Sequence, residues 1–178
     1  MTEVKLTYLE RAARVKLMIF DVDGVLTDGS LHYGADGEAL KTFNVYDGLG
    51  IKLLQESGVQ TAIISARVSP QVVKRAADLG IGFLHQGGHD KLTPFNALLE
   101  KTGLTAEQVG FIGDDIVDLP ILTRVGFAVA VPGGRKEVLE RAHHVTVAQG
   151  GRGAVREVCE LLLHAQGTYE RVLAQFMV

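Results

Sequence analysis

The amino-acid sequence predicts an α/β fold, a doubly wound parallel sheet of the Rossmann type. Short apolar segments rich in β-formers alternate along the chain with segments of helical spacing. Most of these apolar segments are continuous rather than alternating, which is typical of strands covered on both faces. The length of 178 residues corresponds to about one domain at roughly 150 residues per domain. We therefore expect residues 1–178 to form a single domain.

Five segments have the composition of buried strands. They are Val15–Phe20, Val59–Ile64, Ile81–Leu84, Val109–Ile112 and Phe127–Val131. Apolar residues at helical spacing and capping signals predict the helices between and after them, for example Ser69 followed by Pro70. The predicted helices are Leu49–Glu56, Pro70–Leu79, Lys91–Lys101 and Ala154–Ala165, with a single turn at Thr105–Gln108.

A β-hairpin within residues 30–45 interrupts this alternation. Two short β-type runs, Ser30–Tyr33 and Ala39–Val45, flank the turn residues Gly34–Gly37, which is a hairpin signal. A hairpin placed directly after the first strand overhangs the carboxyl end of the sheet. Open α/β sheets bind their ligands at that end.

Composition and charge exclude several classes of protein. The formal net charge of −3 argues against a nucleic-acid-binding face. The single cysteine, Cys159, cannot form an intrachain disulfide, and we expect it to be a buried apolar residue. No apolar stretch approaches the length of about 18 residues that a membrane helix needs, and no signal peptide is visible. We expect a cytoplasmic protein that binds neither nucleic acid nor membrane.

Carboxylates follow two of the predicted strands. Asp21 and Asp23 come directly after the first, and Asp114, Asp115 and Asp118 come after the fourth. At one sheet edge these groups would repel each other unless a cation lay among them, and oxygen ligands of this kind suit Mg²⁺. A solvated acidic turn and capping of a helix N-terminus are the structural alternatives, and capping suits Asp115 or Asp118 better than Asp114.

Two further polar residues follow predicted strands. Ser65 directly follows the second strand and could donate its hydroxyl to a phosphate oxygen. Lys91 opens a helix, where a cation is unfavourable for the helix dipole. A fixed ammonium that offsets the charge of a phosphoryl group explains this lysine better.

The ordered motifs resemble those of the haloacid dehalogenase superfamily. They are DVDGVLTDG from Asp21, a hydroxyl residue at Ser65, Lys91 and GDDIVD from Gly113. The chain is also similar to one subfamily, the 3-deoxy-D-manno-octulosonate 8-phosphate phosphatases. The motifs that carry this similarity are FNVYDGLGIKLL, IISAR, DKL, IGDDIVDLP and GGRGAVREVCELLL. The resemblance spans roughly residues 16–167, and Ser65-Ala66-Arg67 departs from the commoner Thr-Gly-Arg.

The resemblance implies a mechanism and a cofactor. Asp21 attacks phosphorus and forms an aspartyl-phosphate, while Asp23 protonates the leaving sugar oxygen and then activates water. Mg²⁺ is bound by the Asp21 and Asp114 carboxylates and the Asp23 backbone carbonyl. Ser65 and Lys91 hold the phosphoryl oxygens. Asp115 and Asp118 orient Lys91 or metal-bound water.

The resemblance also implies a sugar acid phosphate substrate on the route to lipopolysaccharide. The family's sugar-contacting region corresponds to Asn44, Val45, Tyr46, Asp47, Gly48, Lys52, Arg67 and Arg75. A guanidinium suits a carboxylate through paired hydrogen bonds. Lys52 and Arg75 lie on helices, where a solvated surface charge is the alternative explanation.

The segments between the motifs are too short to hold a large capping domain. We therefore expect neighbouring subunits of a homotetramer to cover each active site, as the resemblance implies. The segment 168–178 either reaches an adjacent site or forms a frayed terminal helix.

Three other functions stay open at this point. The same chemistry could act on another sugar acid phosphate, such as a nonulosonate 9-phosphate. A phospho-accepting receiver module has similar residue types, but its acceptor follows the third strand, where this chain has His85 and Gln86. A metal-binding interaction domain without turnover is the third alternative.

Overall fold

The computed structural model describes residues 6–177 and contains one six-stranded sheet and one two-stranded hairpin. The strands are β1 (Leu17–Phe20), β2 (His32–Gly34), β3 (Gly37–Leu40), β4 (Gln60–Ser65), β5 (Phe83–Gln86), β6 (Val109–Gly113), β7 (Phe127–Ala130) and β8 (His144–Val145). The helices are α1 (Tyr8–Ala12), α2 (Val45–Glu56), α3 (Pro70–Leu79), α4 (Leu92–Thr102), α5 (Leu119–Leu122), α6 (Lys136–Leu139), α7 (Ala154–Ala165) and α8 (Tyr169–Leu173). Short 3₁₀ turns occupy Ala106–Gln108, Ile116–Asp118 and Ala174–Phe176.

The large sheet is parallel, with the strand order β5-β4-β1-β6-β7-β8. Strand β1 lies inside it, and Phe20 is in register with Ile63 of β4 on one side and Ile112 of β6 on the other. This order confirms the predicted doubly wound α/β fold. It also makes the carboxyl ends of β4, β1 and β6 neighbours at one edge of the sheet.

The two faces of the sheet carry separate apolar cores. Along β1, Met18 and Phe20 belong to the core under α2, α3 and α7, whereas Leu17 and Ile19 belong to the core under α4, α5 and α6. This alternation follows from the two-residue period of a strand. Both faces are covered, which explains why the strands are continuously apolar.

Helices α2 and α7 pack closely because a glycine lies between them. A Cβ atom on Gly50 of α2 would lie 3.0 Å from the Cα atom of Arg156 in α7. Cys159 of α7 is fully buried in this core, as predicted. Its burial leaves the thiol with no access to solvent.

Most of the predicted helices and strands are present, but some begin or end at residues other than those predicted. Helix α2 begins at Val45 rather than Leu49, because the Asn44 side chain accepts a 2.7 Å hydrogen bond from the Tyr46 backbone N–H and caps it. The second hairpin strand ends at Leu40 rather than at the predicted Val45. The bounds of α3 and α7 match the prediction, whereas α1, α5, α6 and β8, of two to five residues, were not predicted.

The carboxyl-terminal segment is helical and packs against its own chain. Val172 of α8 is buried, and α8 and Phe176 border an apolar cavity of about 180 Å³ together with Leu49 and Leu53 of α2. Val178, part of the predicted tail 168–178, lies outside the described residues. Between residues 6 and 177, none of the helices has both the length and the apolar character needed to span a bilayer.

Candidate active site

The predicted catalytic residues meet at the carboxyl edge of three adjacent strands. Asp21 follows β1, Ser65 ends β4 and Asp114 follows β6. With Asp23 and Lys91 they line a cavity of about 280 Å³. Its other lining residues are Ala66, Arg67, His89, Asp115 and Val117. The strand order therefore brings together groups that lie far apart in the sequence.

Lys91 lies at the bottom of this cavity with almost no exposure. Its Nζ atom donates to Asp21 Oδ1 and to Asp118 Oδ1, at 2.6 Å in each case. Burial alone would lower the pKa of Lys91, but the charges of Asp21 and Asp118 outweigh it and the net pKa is raised. Lys91 is therefore a fixed cation at neutral pH.

Asp118 connects this lysine to the loop after β6. Its side chain is fully buried, and its Oδ2 atom accepts hydrogen bonds from the backbone N–H groups of Asp114, at 2.9 Å, and Asp115, at 3.2 Å. Asp115 itself is exposed and caps the following turn by accepting from the Ile116 N–H at 2.7 Å. Of the two acids predicted to orient Lys91, it is Asp118 that contacts it.

Three carboxylates converge beside this single ammonium. Asp21, Asp114 and Asp118 each offer one oxygen, and these oxygens lie within 4.8 Å of one another. Burial raises the pKa of Asp21, with Asp118 adding to the shift and Lys91 opposing it. Burial, together with the charges of Asp118 and Asp115, raises the pKa of Asp114 to about 7. The cluster carries more negative charge than Lys91 offsets.

These groups fit a magnesium ion. The Asp114 Oδ1 atom is buried and has no hydrogen-bond partner among the described residues. Both oxygens of Asp118 are already held by N–H groups, so Asp21 and Asp114 are the carboxylates left for a metal. Mg²⁺ takes carboxylate and carbonyl oxygens and usually keeps several waters. A divalent cation here would offset the excess negative charge.

Gly24 allows the loop after β1 to lie directly on Asp114. Its φ angle is +88°, a conformation that side chains disfavour, and a Cβ atom there would collide with the Asp114 carboxylate. The close approach of the two loops therefore requires glycine at this position.

Asp23 belongs to a network of charges that the sequence did not predict. Its carboxylate forms an ion pair with Lys41, and the Arg67 Nε atom lies 3.8 Å from its Oδ2 atom. Glu38 of β3 is paired with both cations, 2.9 Å from Lys41 Nζ and 3.0 Å from an Arg67 terminal nitrogen. The hairpin thus contacts the active site through charged side chains.

Comparison with known proteins identifies the family. The haloacid dehalogenase-like hydrolase family matches residues 80–157. The 3-deoxy-D-manno-octulosonate 8-phosphate phosphatase KdsC of Escherichia coli K12 is 46% identical over 167 residues, which cover 94% of this chain and 89% of the relative. This chain belongs to the 3-deoxy-D-manno-octulosonate 8-phosphate phosphatase family.

Solved structures of similar proteins agree with this family. One is the 3-deoxy-D-manno-octulosonate 8-phosphate phosphatase of Moraxella catarrhalis in complex with magnesium, phosphate and KDO, with a TM-score of 0.92, 41% identity, and coverage of 95% of this chain and 97% of that one. A probable YrbI family phosphatase of Pseudomonas syringae has a TM-score of 0.93 and 50% identity, with coverage of 96% and 97%. The family fold therefore extends over nearly the whole chain.

Of the predicted sugar-contacting residues, the structure brings only Arg67 into the cavity. Val45 and Tyr46 are exposed at the start of α2, and Gly48 faces the Arg75 guanidinium. Arg75 donates to the Asn44 carbonyl at 3.2 Å. Lys52 lies at the opposite end of α3 from the cavity, near Gly80.

Asp47 is directed away from the cavity and towards α7. It is buried and accepts a 2.8 Å hydrogen bond from the Arg156 backbone N–H. Burial raises its pKa more than the hydrogen bonds from the start of α7 lower it. The contacts of Asp47 are those of a helix cap, which is a structural role.

Sequence reasoning missed Glu38, Lys41 and His89 among the residues at or beside the cavity. Glu38 and Lys41 are oppositely charged and three residues apart in a hairpin that was predicted to overhang the site. This spacing was the available signal. His89 lies exposed in the glycine-rich loop before Lys91, and no sequence pattern indicated that it would border the cavity.

Proposed function

We propose that the chain is a Mg²⁺-dependent phosphatase that hydrolyses 3-deoxy-D-manno-octulosonate 8-phosphate, on the route to lipopolysaccharide, to the free sugar acid and phosphate. The observation that carries the proposal is the convergence of Asp21, Asp114, Ser65 and Lys91 on one cavity of about 280 Å³. Family membership over nearly the whole chain supports the same substrate. We also propose that residues 1–178 act as one phosphatase domain.

The Asp21 and Asp114 carboxylates and the Asp23 backbone carbonyl would hold the Mg²⁺ ion. When bound, the ion neutralises charge on the phosphoryl group and on the two carboxylates. Ser65 is buried, and its Oγ atom accepts from the Arg67 backbone N–H at 3.4 Å, which leaves its O–H free to donate to a phosphoryl oxygen. Lys91 provides the fixed positive charge on the other side.

In the first step, an Asp21 carboxylate oxygen attacks phosphorus and the ester P–O bond breaks. Asp23 gives its proton to the departing sugar oxygen, and an aspartyl-phosphate forms on Asp21. Because phosphoryl transfer depends mainly on position and charge stabilisation, the buried Lys91 and Ser65 are placed to supply both.

In the second step, Asp23, now ionised, removes a proton from water as the water attacks phosphorus. The acyl phosphate P–O bond breaks, phosphate leaves and the Asp21 carboxylate is restored. The proton taken from water replaces the one that Asp23 gave to the sugar, so Asp23 is again protonated. The receiver module is disfavoured because β5 is followed by Gly87 and Gly88 rather than by an acceptor carboxylate.

Arg67 would bind the carboxylate of the sugar acid through paired hydrogen bonds. It borders the cavity and is partly exposed, so a substrate can reach its guanidinium. Asn44, Val45, Tyr46, Gly48, Lys52 and Arg75 stay predicted sugar contacts. They lie outside the cavity of their own chain, which is compatible with contacts made from a neighbouring subunit.

We propose a homotetramer in which neighbouring subunits cover each site. Exposed apolar side chains support it, among them Tyr33 of the hairpin and Val45 and Tyr46 of α2, which are 65%, 74% and 66% exposed. Light scattering tests this proposal, and a fully active monomer would overturn it. We also propose a cytoplasmic location, which the single, buried and unpaired Cys159 fits, and cell fractionation tests it.

Phosphate release from a panel of sugar phosphates tests the function. We expect turnover of 3-deoxy-D-manno-octulosonate 8-phosphate with Mg²⁺, none with a chelator, and none in Asp21→Asn or Asp23→Asn. A nonulosonate 9-phosphate and glucose 6-phosphate complete the panel. Faster turnover of the nonulosonate 9-phosphate would change the proposed substrate but not the proposed reaction. No release from any phosphate would contradict the proposal.

A further inference from the structure

Lys41 is a buried cation whose place in the fold does not require a charge. It directly follows β3, at the end of the hairpin that lies over the active site. Its side chain is only 1% exposed. A lysine in such a position loses its hydration, and an apolar side chain of similar volume would fill the space at a lower cost in stability.

The residues that contact Lys41 indicate a role in catalysis rather than in packing. Its ammonium contacts Asp23 on one side and lies 2.9 Å from Glu38 on the other. Glu38 is also held by Arg67 at 3.0 Å, so the ammonium is fixed between two carboxylates. Asp23 lies in the loop after β1, three residues beyond its last residue. Apart from Lys41, the cation nearest to the Asp23 carboxylate among residues 6–177 is Arg67.

We propose that Lys41 is a positioning residue that holds the Asp23 carboxylate at the mouth of the Asp21 cavity, with Glu38 fixing the lysine. This inference rests on the proposed function, because it concerns the group that transfers the proton. Lys41 does not contact the phosphoryl group in this account. It acts through Asp23, and the hairpin thereby becomes part of the catalytic apparatus.

A positioning role has a specific consequence for the first chemical step. Cleavage of a sugar ester needs a proton on the leaving oxygen, whereas p-nitrophenolate is a stable anion and leaves without one. Loss of Lys41 should therefore slow cleavage of the sugar ester much more than cleavage of p-nitrophenyl phosphate. A general structural defect would slow both to the same extent.

The experiment compares Lys41→Met with the wild type in rapid-mixing assays. For the sugar phosphate we expect kcat to fall about 10- to 100-fold, a part of the roughly 10²- to 10⁴-fold that proton transfer contributes, with KM changed less than about threefold. The single-turnover release of p-nitrophenolate, which reports only the first step, should fall less than about threefold. Lys74→Met removes an exposed lysine of α3 and is the matched control.

Two further variants separate positioning from folding. Glu38→Gln keeps the shape of the side chain but removes the charge that holds Lys41, and we expect a smaller loss with the same dependence on the leaving group. Lys41→Arg keeps the charge and should recover part of kcat. Circular dichroism and thermal unfolding check that each variant is folded.

Several results would overturn the inference. They are an unchanged kcat in both Lys41→Met and Glu38→Gln, equal losses for the two leaving groups in a folded variant, and a raised KM with an unchanged kcat. A wild-type enzyme that releases no phosphate would instead overturn the proposed function, so the two failures are distinguishable.

Discussion

The Lys91 ammonium lies 2.6 Å from Asp118 Oδ1, although 27 residues separate the two in the chain. The other oxygen of Asp118 accepts from the backbone N–H of Asp114, 2.9 Å away. One buried carboxylate therefore fixes both Lys91, which we propose binds the phosphoryl group, and the loop of Asp114, which we propose binds the metal.

Asp118→Asn should impair both stability and turnover. The amide replaces one acceptor with a donor, so either Lys91 loses one of its two carboxylate acceptors or the backbone N–H groups of Asp114 and Asp115 lose theirs. We expect the free energy of unfolding to fall by about 1–3 kcal/mol and kcat to fall at least about 10-fold. Chemical denaturation and phosphate release measure these effects. Asp115→Asn, at the exposed neighbouring acid, is the control and should cost less than about 1 kcal/mol.

Gly24→Ala should weaken magnesium binding. The new methyl group would push the Asp114 carboxylate out of position, because a Cβ atom at Gly24 overlaps it. Gly37→Ala has the same kind of backbone strain, with a φ angle of +114°, but nothing lies within 4 Å of its Cβ position. Titration of activity with Mg²⁺ should show at least about a tenfold higher half-saturating concentration in Gly24→Ala, a cost of about 1.4 kcal/mol.

The Gly37→Ala control should bind Mg²⁺ like the wild type even if the hairpin becomes less stable. Equal half-saturating concentrations in Gly24→Ala and Gly37→Ala would show that the contact with Asp114 does not control the metal site.

Magnesium should stabilise the folded chain. At a concentration one hundred times its Kd, a ligand that binds only the native state adds about 2.7 kcal/mol, or roughly 5–10 °C in Tm for a chain of this size. Thermal unfolding with Mg²⁺ and with a chelator measures the shift. Asp114→Asn should abolish it and Asp115→Asn should keep it, and a shift retained in Asp114→Asn would place the ion elsewhere.

Asp47 should make the stability of the protein depend on pH. Its folded-state pKa is raised, mainly by burial, so the folded state holds the proton more tightly than the unfolded state. Its contribution is therefore present below the ordinary pKa of an aspartate, about 4, and is lost as pH rises through the folded-state pKa.

Asp47→Asn removes this titration. Denaturation at several pH values, with a chelator present, should show a smaller loss of unfolding free energy above pH 4, about the ordinary aspartate pKa, than in the wild type. Asp36→Asn, in the exposed hairpin turn, should keep the wild-type slope. Identical slopes in Asp47→Asn and the wild type would mean that the buried carboxyl does not titrate as described.

The sequence predicted the sheet and the central site because both depend on local signals. Continuous apolar strands, Pro70 after Ser69 and acids at strand ends are visible within a few residues. The contacts of Lys41 with Asp23 and Glu38 depend instead on how the hairpin folds back over the sheet, which no periodicity records. Elements as short as α5 and α6 are held by tertiary packing and show no pattern of their own.

The account depends most on one arrangement, in which Asp21, Asp114, Ser65 and Lys91 surround a cation and a phosphoryl group. A crystal structure with Mg²⁺ and a phosphate mimic tests it most directly. We predict one ion bound by the Asp21 and Asp114 carboxylates and the Asp23 carbonyl, with the mimic beside it between Ser65 and Lys91. An ion or mimic bound elsewhere, with these four side chains turned apart, would contradict the account.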